Sequence, residues 1–564
     1  MGSKPGWEAL VADKRKRQAE AIPKEWKIQL PPEERLDVRD VPKECGLLTL
    51  RELQITELDD VEALLNNIAK GTWSSEEVMT AYYKRAIVAH QLTNCLTEIF
   101  VDRALARARE LDRILKETGT VVGPLHGLPV SMKDQFLIKD LESTLGFASL
   151  VGNHSKEDAL LVQILHEAGA VPFVKTNVPQ TLMWGETHNL VFGRTLNPYN
   201  RKLTAGGSSG GEGALLAMKG SPLGIGTDVG GSIRIPAGFV GVYGLRPSYY
   251  RVPNGGCLTI SHGEESVPAV LGPLSRSLSG VKVFMKAVAA ARPWDRDPFT
   301  VRKAWDEDAY SLIDHGGKGG KKLAFAIMWD NGHIVPHPPV MRAMEETRAA
   351  LIEAGHKVID WAPFPYEALG KNLERIWASA GNKSLLDVLA ESGEPVLPSM
   401  ALDPAMKGFN KSSIGTNAYE LRKLHKEKKD LREAHFAQWQ ETARLTGTGR
   451  PVDAIICPVA PFAAPPHGNN KYSFYTMALN SLDCTTSVFP VTTVDPKVDV
   501  RRSPHKFYND RDRRNYESYD PESFQGAPVA LQLAGRTLEE EAVIAMTEIV
   551  DEALNSHKEV RAKL

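Results

Sequence analysis

An excess of either charge is missing from this 564-residue sequence: 68 Lys and Arg stand against 70 Asp and Glu, a formal net charge of -2. That balance argues neither way about partners, and nothing in the sequence suggests a nucleic-acid footprint or an acidic tail. Cysteine is scarce. The five present (Cys45, Cys95, Cys257, Cys457, Cys484) are odd in number and lack C-x-x-C spacing, which excludes a disulfide frame and a zinc knuckle and points to small core residues in a reducing compartment. No apolar run reaches bilayer length. The opening residues, M-G-S-K-P-G-W-E-A-L, lack the apolar core of a secretory signal, and Gly6 stands where a myristoylation motif needs Ser or Thr. Fifteen histidines occur without H-E-x-x-H or comparable spacing, so neither a metal nor a cofactor is expected. What remains, at 42% hydrophobic and 24% charged, is soluble globular composition, enough for one large α/β core or two domains.

Glycine, by contrast, is concentrated. From Lys202 to Pro236 the text reads K-L-T-A-G-G-S-S-G-G-E-G-A-L-L-A-M-K-G-S-P-L-G-I-G-T-D-V-G-G-S-I-R-I-P, with Ser208 and Ser232 each flanked by glycines. Glycine at this density costs backbone entropy and needs a reason, such as close approach to a ligand or a row of N–H groups aimed at an anion. One reading is a phosphate cradle opening a helix near Ala214–Met218, but G-x-x-x-x-G-K-[ST] is absent. Gly206 to Gly210 also matches G-x-S-x-G, a nucleophile elbow with Ser208 as nucleophile. Both readings want a strand before the loop, and the preceding N-P-Y-N-R-K is loop-like.

Before that centre, residues 1 to 48 are polar and Pro-punctuated and read as an extended or helical arm. A capped helix is expected from Ser74, carrying Val78, Ala81, Tyr82 and Arg85, and another over residues 101–116. Leu128 to Met132 reads as an apolar strand that delivers Lys133 to its end. A lysine there either snorkels to the surface or is a partly buried amine with a lowered pKa. Glu157–Ala168 reads as a helix closed by Gly169 and Val171–Lys175 as a strand, followed by Leu182, Met183 and Trp184, which suit either core or an acyl pocket. Farther on, Val498–Ser523 reads as a long polar surface loop.

Taken together, P-V-S-M-K-D at Lys133, G-G-S-S-G-G-E-G at Ser208 and G-T-D-V-G-G-S-I-R-I-P at Ser232 resemble the amidase signature family, the hydrolases with a Ser-cisSer-Lys triad. D-A-I-I-C-P (453–458), residues 480–490 and G-A-P-V-A-L-Q-L-A-G-R (526–536) resemble the family's later strands, so the likeness spans roughly residues 50 to 555. Length and the P-L-G-I-G-T-D-V-G-G-S block look most like fungal acetamidase-type and fatty-acid-amide-hydrolase-type members. The resemblance implies a large mixed sheet flanked by helices, in one main domain of residues 49–564 behind the 1–48 arm. It also implies that Ser232 attacks the amide, that Ser208, behind a cis Gly207-Ser208 peptide, relays the proton, and that neutral Lys133 is the base. Val229, Gly230, Gly231 and Ser232 would supply oxyanion N–H donors, with Leu182 against the substrate. Ser209, Asp228 and Arg234 are expected to support them: Ser209 by aligning the loop or capping the helix, the other two as an ion pair.

The expected reaction is hydrolysis of a small aliphatic or aromatic primary amide to carboxylate and ammonia. Still open are an N-acyl or fatty amide or ester substrate, an amidotransferase subunit needing a partner chain, and a non-catalytic binding protein. The expected partner is a small-molecule amide, without nucleic acid or membrane insertion; the heavily charged 418–445 segment argues against a membrane-inserting cap. A homodimer stays open. The expected compartment is the cytoplasm, with the peroxisome as alternative because Ala562-Lys563-Leu564 differs by one residue from S-K-L.

Overall fold

Helix initiation is written locally. Ser74 caps the Ser75–Thr93 helix by accepting from the Glu77 amide while the Glu77 carboxylate returns to the Ser74 amide, a reciprocal capping box. The expected Val78, Ala81, Tyr82 and Arg85 are all buried on that helix. The computed structural model describes residues 6–261, 263–317, 322–401 and 415–562. Lys563 and Leu564 of the C-terminal tripeptide lie outside the described residues.

The strands are β1 (Leu96–Ile99), β2 (Pro129–Lys133), β3 (Val171–Thr176), β4 (His188–Asn189), β5 (Gly193–Arg194), β6 (Leu223–Asp228) and β7 (Tyr243–Arg246). They continue with β8 (Val270–Ser275), β9 (Ala324–Ile327), β10 (Lys357–Asp360), β11 (Ala454–Pro458), β12 (Thr486–Thr493) and β13 (Pro528–Ala534). Eleven of them form one sheet in the order β1-β3-β2-β6-β8-β7-β12-β13-β11-β9-β10, and β4-β5 is a separate two-stranded pair. The sheet is mixed: β2 runs parallel to both β3 and β6, and β6 antiparallel to β8. Its central strands are buried along their whole length because helices cover both faces. Among the described residues no helix is long and apolar enough to cross a membrane.

Several boundaries move for physical reasons. The helix expected from Glu157 begins at Leu160, after an extended Ala159. The helix after the glycine cluster begins at Gly210, four residues before Ala214. Three glycines of low helical propensity are carried there by tertiary contact: a Cβ on Gly211 would stand 2.3 Å from the Asn177 backbone nitrogen. Within the expected 498–523 loop lies a helix, Asp510–Ser518. Asn509 caps it by accepting from the Arg511 and Asp512 amides, and the buried Asp512 carboxylate accepts from the Val335 and Tyr508 amides. Before the sheet, a helix at Trp7–Glu20 lies across the chain; its Gln18 donates to the Leu96 carbonyl and Arg15 to the Val191 carbonyl.

Candidate active site

β2 and β6 are parallel neighbours, so their C-terminal ends lie on the same side of the sheet. Lys133 is the last residue of β2 and Asp228 the last of β6. The glycine-rich loop before the Gly210–Ala217 helix crosses above them. Lys133 is completely buried, and its Nζ lies 2.7 Å from Ser208 Oγ and 2.8 Å from Thr227 Oγ1. Of the two earlier readings of this lysine, the snorkelling one fails: the amine is sealed inside. Burial pushes its pKa down to about 7, against the opposing pull of the Asp228 and Glu212 carboxyls.

The hydrogen-bond polarity around the amine follows from its neighbours. Thr227 donates its own proton to Gln135 Oε1 at 2.6 Å, and Gln135 Nε2 donates to the Leu258 carbonyl at 3.3 Å. Thr227 therefore accepts from Lys133. A neutral amine keeps its lone pair for Ser208. The Gly207-Ser208 peptide is cis, and Gly207 is tightly enclosed: a Cβ there would stand 2.6 Å from the Trp184 carbonyl oxygen.

Ser232 lies in a sharp turn between β6 and the Arg234–Val240 helix. This is the strand-turn-helix setting that the G-x-S-x-G reading assigns to Ser208; no strand leads directly into Ser208, and β6 leads into Ser232. Gly231 makes the turn with φ 131°, and a Cβ on it would meet Thr476 Oγ1 at 2.3 Å. Asp228 braces the turn. It accepts from the Gly231 amide at 2.8 Å and the Ile233 amide at 3.1 Å, and pairs with the buried Arg234 guanidinium at 3.1 Å. Arg234 in turn donates to Asn480 Oδ1 and Gln532 Oε1. Burial alone would favour a protonated Asp228, yet Arg234 and Asn480 hold its carboxyl well below the usual range. Ser209 occupies the N-cap position without a side-chain cap. Its amide donates to the Ser232 carbonyl at 3.1 Å, and its hydroxyl lies 3.5 Å from the Thr227 carbonyl.

Two cavities meet at half-buried Ser232. The larger, about 340 Å³, is walled by Leu182, Trp184, Ile235, Trp377, Phe474 and Met477, with Gly207, Val229 and Gly230 beside the serine. The smaller, about 130 Å³, contains Ser208, Thr227, Gln135 and Cys257 on the side of Lys133. Leu182, Val229 and Trp377 border both. Gly231 lines neither cavity, and its N–H donates to Asp228. Val229, Gly230 and Ser232 do line the cavity. Thr227, Gln135, Trp377, Phe474 and Met477 escaped the sequence reading. The G-T-D and K-D-Q contexts could have pointed to the first two; nothing local marks the others. Among the described residues no three His, Cys, Asp or Glu side chains cluster so as to hold a metal ion.

Comparison with known proteins gives the family and the fold. The Amidase family model matches residues 77–544. An acetamidase of Emericella nidulans is 40% identical over 553 residues, covering 98% of each chain, and an acetamidase of Aspergillus oryzae is 40% identical over 550 residues, covering 97% of this chain and 99% of the other. A solved fatty acid amide hydrolase is similar in fold, with TM-score 0.89 and 33% identity, covering 97% of this chain and 95% of that one. Matched over most of its length by this family model and over nearly its full length by these relatives, the protein is an amide-hydrolysing enzyme that belongs to the amidase family.

Proposed function

We propose that the protein hydrolyses small primary amides, aliphatic or aromatic, to carboxylate and ammonia through an acyl-Ser232 intermediate. The observation that carries this reading is the buried Lys133 amine 2.7 Å from Ser208 Oγ, with Ser208 and Ser232 lining one cavity. A serine hydroxyl attacks an amide only if a base takes its proton, and Ser-Lys arrangements supply such a base without histidine.

Neutral Lys133 accepts the Ser208 hydroxyl proton while Ser208 accepts the Ser232 proton, and Ser232 Oγ bonds to the amide carbon. The carbonyl oxygen gains negative charge beside the Val229, Gly230 and Ser232 N–H groups. The proton then returns from Lys133 through Ser208 to the amide nitrogen, the carbon–nitrogen bond breaks, and ammonia leaves. Water repeats the sequence on the acyl-enzyme, regenerating Ser232. Because the leaving nitrogen takes its proton from Ser208, it faces the smaller, Ser208-lined cavity, and the acyl group lies in the larger apolar one.

A cavity of about 150 Å³ already holds a benzene ring. The larger cavity, about 340 Å³, therefore has room for a benzoyl or hexanoyl group as well as acetyl. Two relatives named acetamidase support the small-amide assignment. No partner chain, metal or membrane is required for these steps. The test is ammonia release by the purified chain from acetamide, hexanamide and benzamide. Release that disappears in Ser232→Ala is expected; a folded chain that releases none from any of the three would overturn the reading.

A further inference from the structure

Two segments wall the larger cavity without taking part in the proton relay: Trp184 and Gly185 ahead of β4, and Asn470, Tyr472 and Phe474 leading into the Phe474–Leu482 helix. They are remote in sequence, and one fully buried acid, Glu186, joins them. Its Oε2 accepts from the Gly468 amide at 2.9 Å and from Arg194 of β5 at 2.8 Å, and its Oε1 accepts from the Asn470 amide at 3.1 Å. A second tie runs the other way: Asn470 Nδ2 donates to the Gly185 carbonyl at 2.7 Å. Glycine permits that approach, since a Cβ on Gly185 would stand 2.6 Å from Asn470 Nδ2.

A carboxylate suits this place because three donors converge on it. Two are backbone N–H groups of an irregular segment, and a neutral amide would turn an N–H of its own toward one of them. Arg194 compensates the buried charge and also donates to Nδ1 of His188 and of His467, so the guanidinium is itself gripped from both segments. The catalytic loop is tied separately. Gly207 abuts the backbone of Trp184 and Glu186, not the carboxyl, while Thr187 Oγ1 donates to the Gly206 carbonyl and accepts from the Gly210 amide. Ser208 is held by Lys133, and the C-terminal end of the Phe474–Leu482 helix by Asn480, which bonds Asp228 and Arg234. The Glu186 carboxyl thus fastens the cavity wall and leaves the reacting groups to other contacts.

We propose that Glu186 is a positioning residue that sets acyl selectivity: by stitching the 184–186 turn to the 468–473 segment, it holds in place the wall against which longer acyl groups bind. This rests on the reading that the acyl group of the substrate occupies the larger cavity. An acetyl group fills little of a space of about 340 Å³, whereas a hexanoyl or benzoyl group must lie against its sides. Each apolar carbon that reaches the wall gains from being taken out of water, and a wall that shifts forfeits that gain. The loss therefore grows with the size of the acyl group.

The experiment measures kcat and KM for acetamide, hexanamide and benzamide in the wild type, Glu186→Gln and Arg194→Lys, with a circular-dichroism melt of each. Glu186→Gln sets an N–H against a backbone N–H and removes the charge that Arg194 pairs with. In it, kcat/KM for hexanamide and benzamide is expected to fall about tenfold or more, mostly through KM, while acetamide stays within about threefold. An equal fall for all three amides, or a fall for none, overturns the proposal and leaves Glu186 a brace of the fold. Where Glu186→Gln does not fold, Arg194→Lys decides. Arg194 lines neither cavity, and lysine keeps the charge but loses the fork; the same size-dependent loss is expected at about two- to fivefold. A uniform change there, or no change, overturns the proposal as well. A wild type that releases ammonia from none of the three amides overturns the hydrolysis reading and this one with it; an active wild type with unshifted selectivity in the variants overturns the positioning role alone.

Discussion

Two lysines end neighbouring apolar strands in this molecule, Lys133 on β2 and Lys175 near the end of β3, and both are completely buried. Lys133 is in register with Thr176 and Lys175 with Met132, so the two amines point to opposite faces of the sheet. On one face Lys133 meets Ser208 and Thr227, with two cavities beyond. On the other, Lys175 donates to the Glu142 carbonyl at 2.6 Å and to the Ser143 hydroxyl. That second face is closed by the Trp7–Glu20 helix, whose Lys14 pairs with Glu98 and Glu142. Burial lowers the pKa of each lysine. Desolvation of a lysine is therefore no mark of catalysis. What separates the two is a hydroxyl that can move a proton onward to a cavity.

The largest effects should fall entirely on the Lys133 face. Ser232→Ala and Lys133→Ala are expected to lower kcat by about 10³-fold or more, since members of one proton relay fail together. Melting curves should show both variants folded; an active Lys133→Ala would break the contrast with Lys175. In the wild type, kcat/KM should rise as pH climbs through about 7, because the lysine must shed its proton to act as base. A profile flat from pH 6 to 8, roughly the window around that titration, would contradict it. Next, Ser208→Ala should cost about 10²- to 10⁴-fold in kcat, the usual worth of a positioned proton carrier. An unchanged rate would take Ser208 out of the relay.

On the opposite face the readout changes from rate to stability. Lys175→Met leaves the buried Glu142 carbonyl and Ser143 hydroxyl without their donor, for about 1 to 3 kcal/mol. Lys14→Met removes a buried cation from between two carboxylates, for about 3 kcal/mol. Urea unfolding measures both losses. Hexanamide turnover per folded molecule should stay within about threefold of wild type, and a larger fall would show that the two faces are coupled.

How far the chain could be read depends on whether a contact is local in sequence. Lys133, Ser208 and Ser232 each sit in a short motif, and the Asp228–Arg234 pair spans a single turn, so these were legible. The same was true of β2 and β3, whose apolar runs register, but not of β6, whose L-G-I-G-T-D is broken by glycines. The wall of the larger cavity was not legible, because Trp377 and Phe474 come from helices far along the chain and reach the site only through packing. Even the lysine signal was ambiguous: V-S-M-K and P-F-V-K look alike, and only the crossing glycine loop distinguishes them. The Asp510–Ser518 helix was missed for another reason. It has almost no apolar periodicity; a capping asparagine and a buried aspartate carry it.

The smallest effect tests how much of the closed face rests on its solvent edge. Arg17 reaches Glu142 at 3.0 Å, but its side chain is 40% exposed and also pairs with Asp13 at 2.8 Å. Glu142 keeps its buried partner Lys14 when Arg17 is lost. Arg17→Gln should therefore cost about 0 to 1 kcal/mol, within the range of exposed pairs, and added salt should shrink the difference. The comparison with Lys14→Met is the sharper measurement, because both cations address the same carboxylate from different depths. A cost for Arg17→Gln equal to that of Lys14→Met would mean that the arm is held by its rim and not by the lysine inserted beneath it.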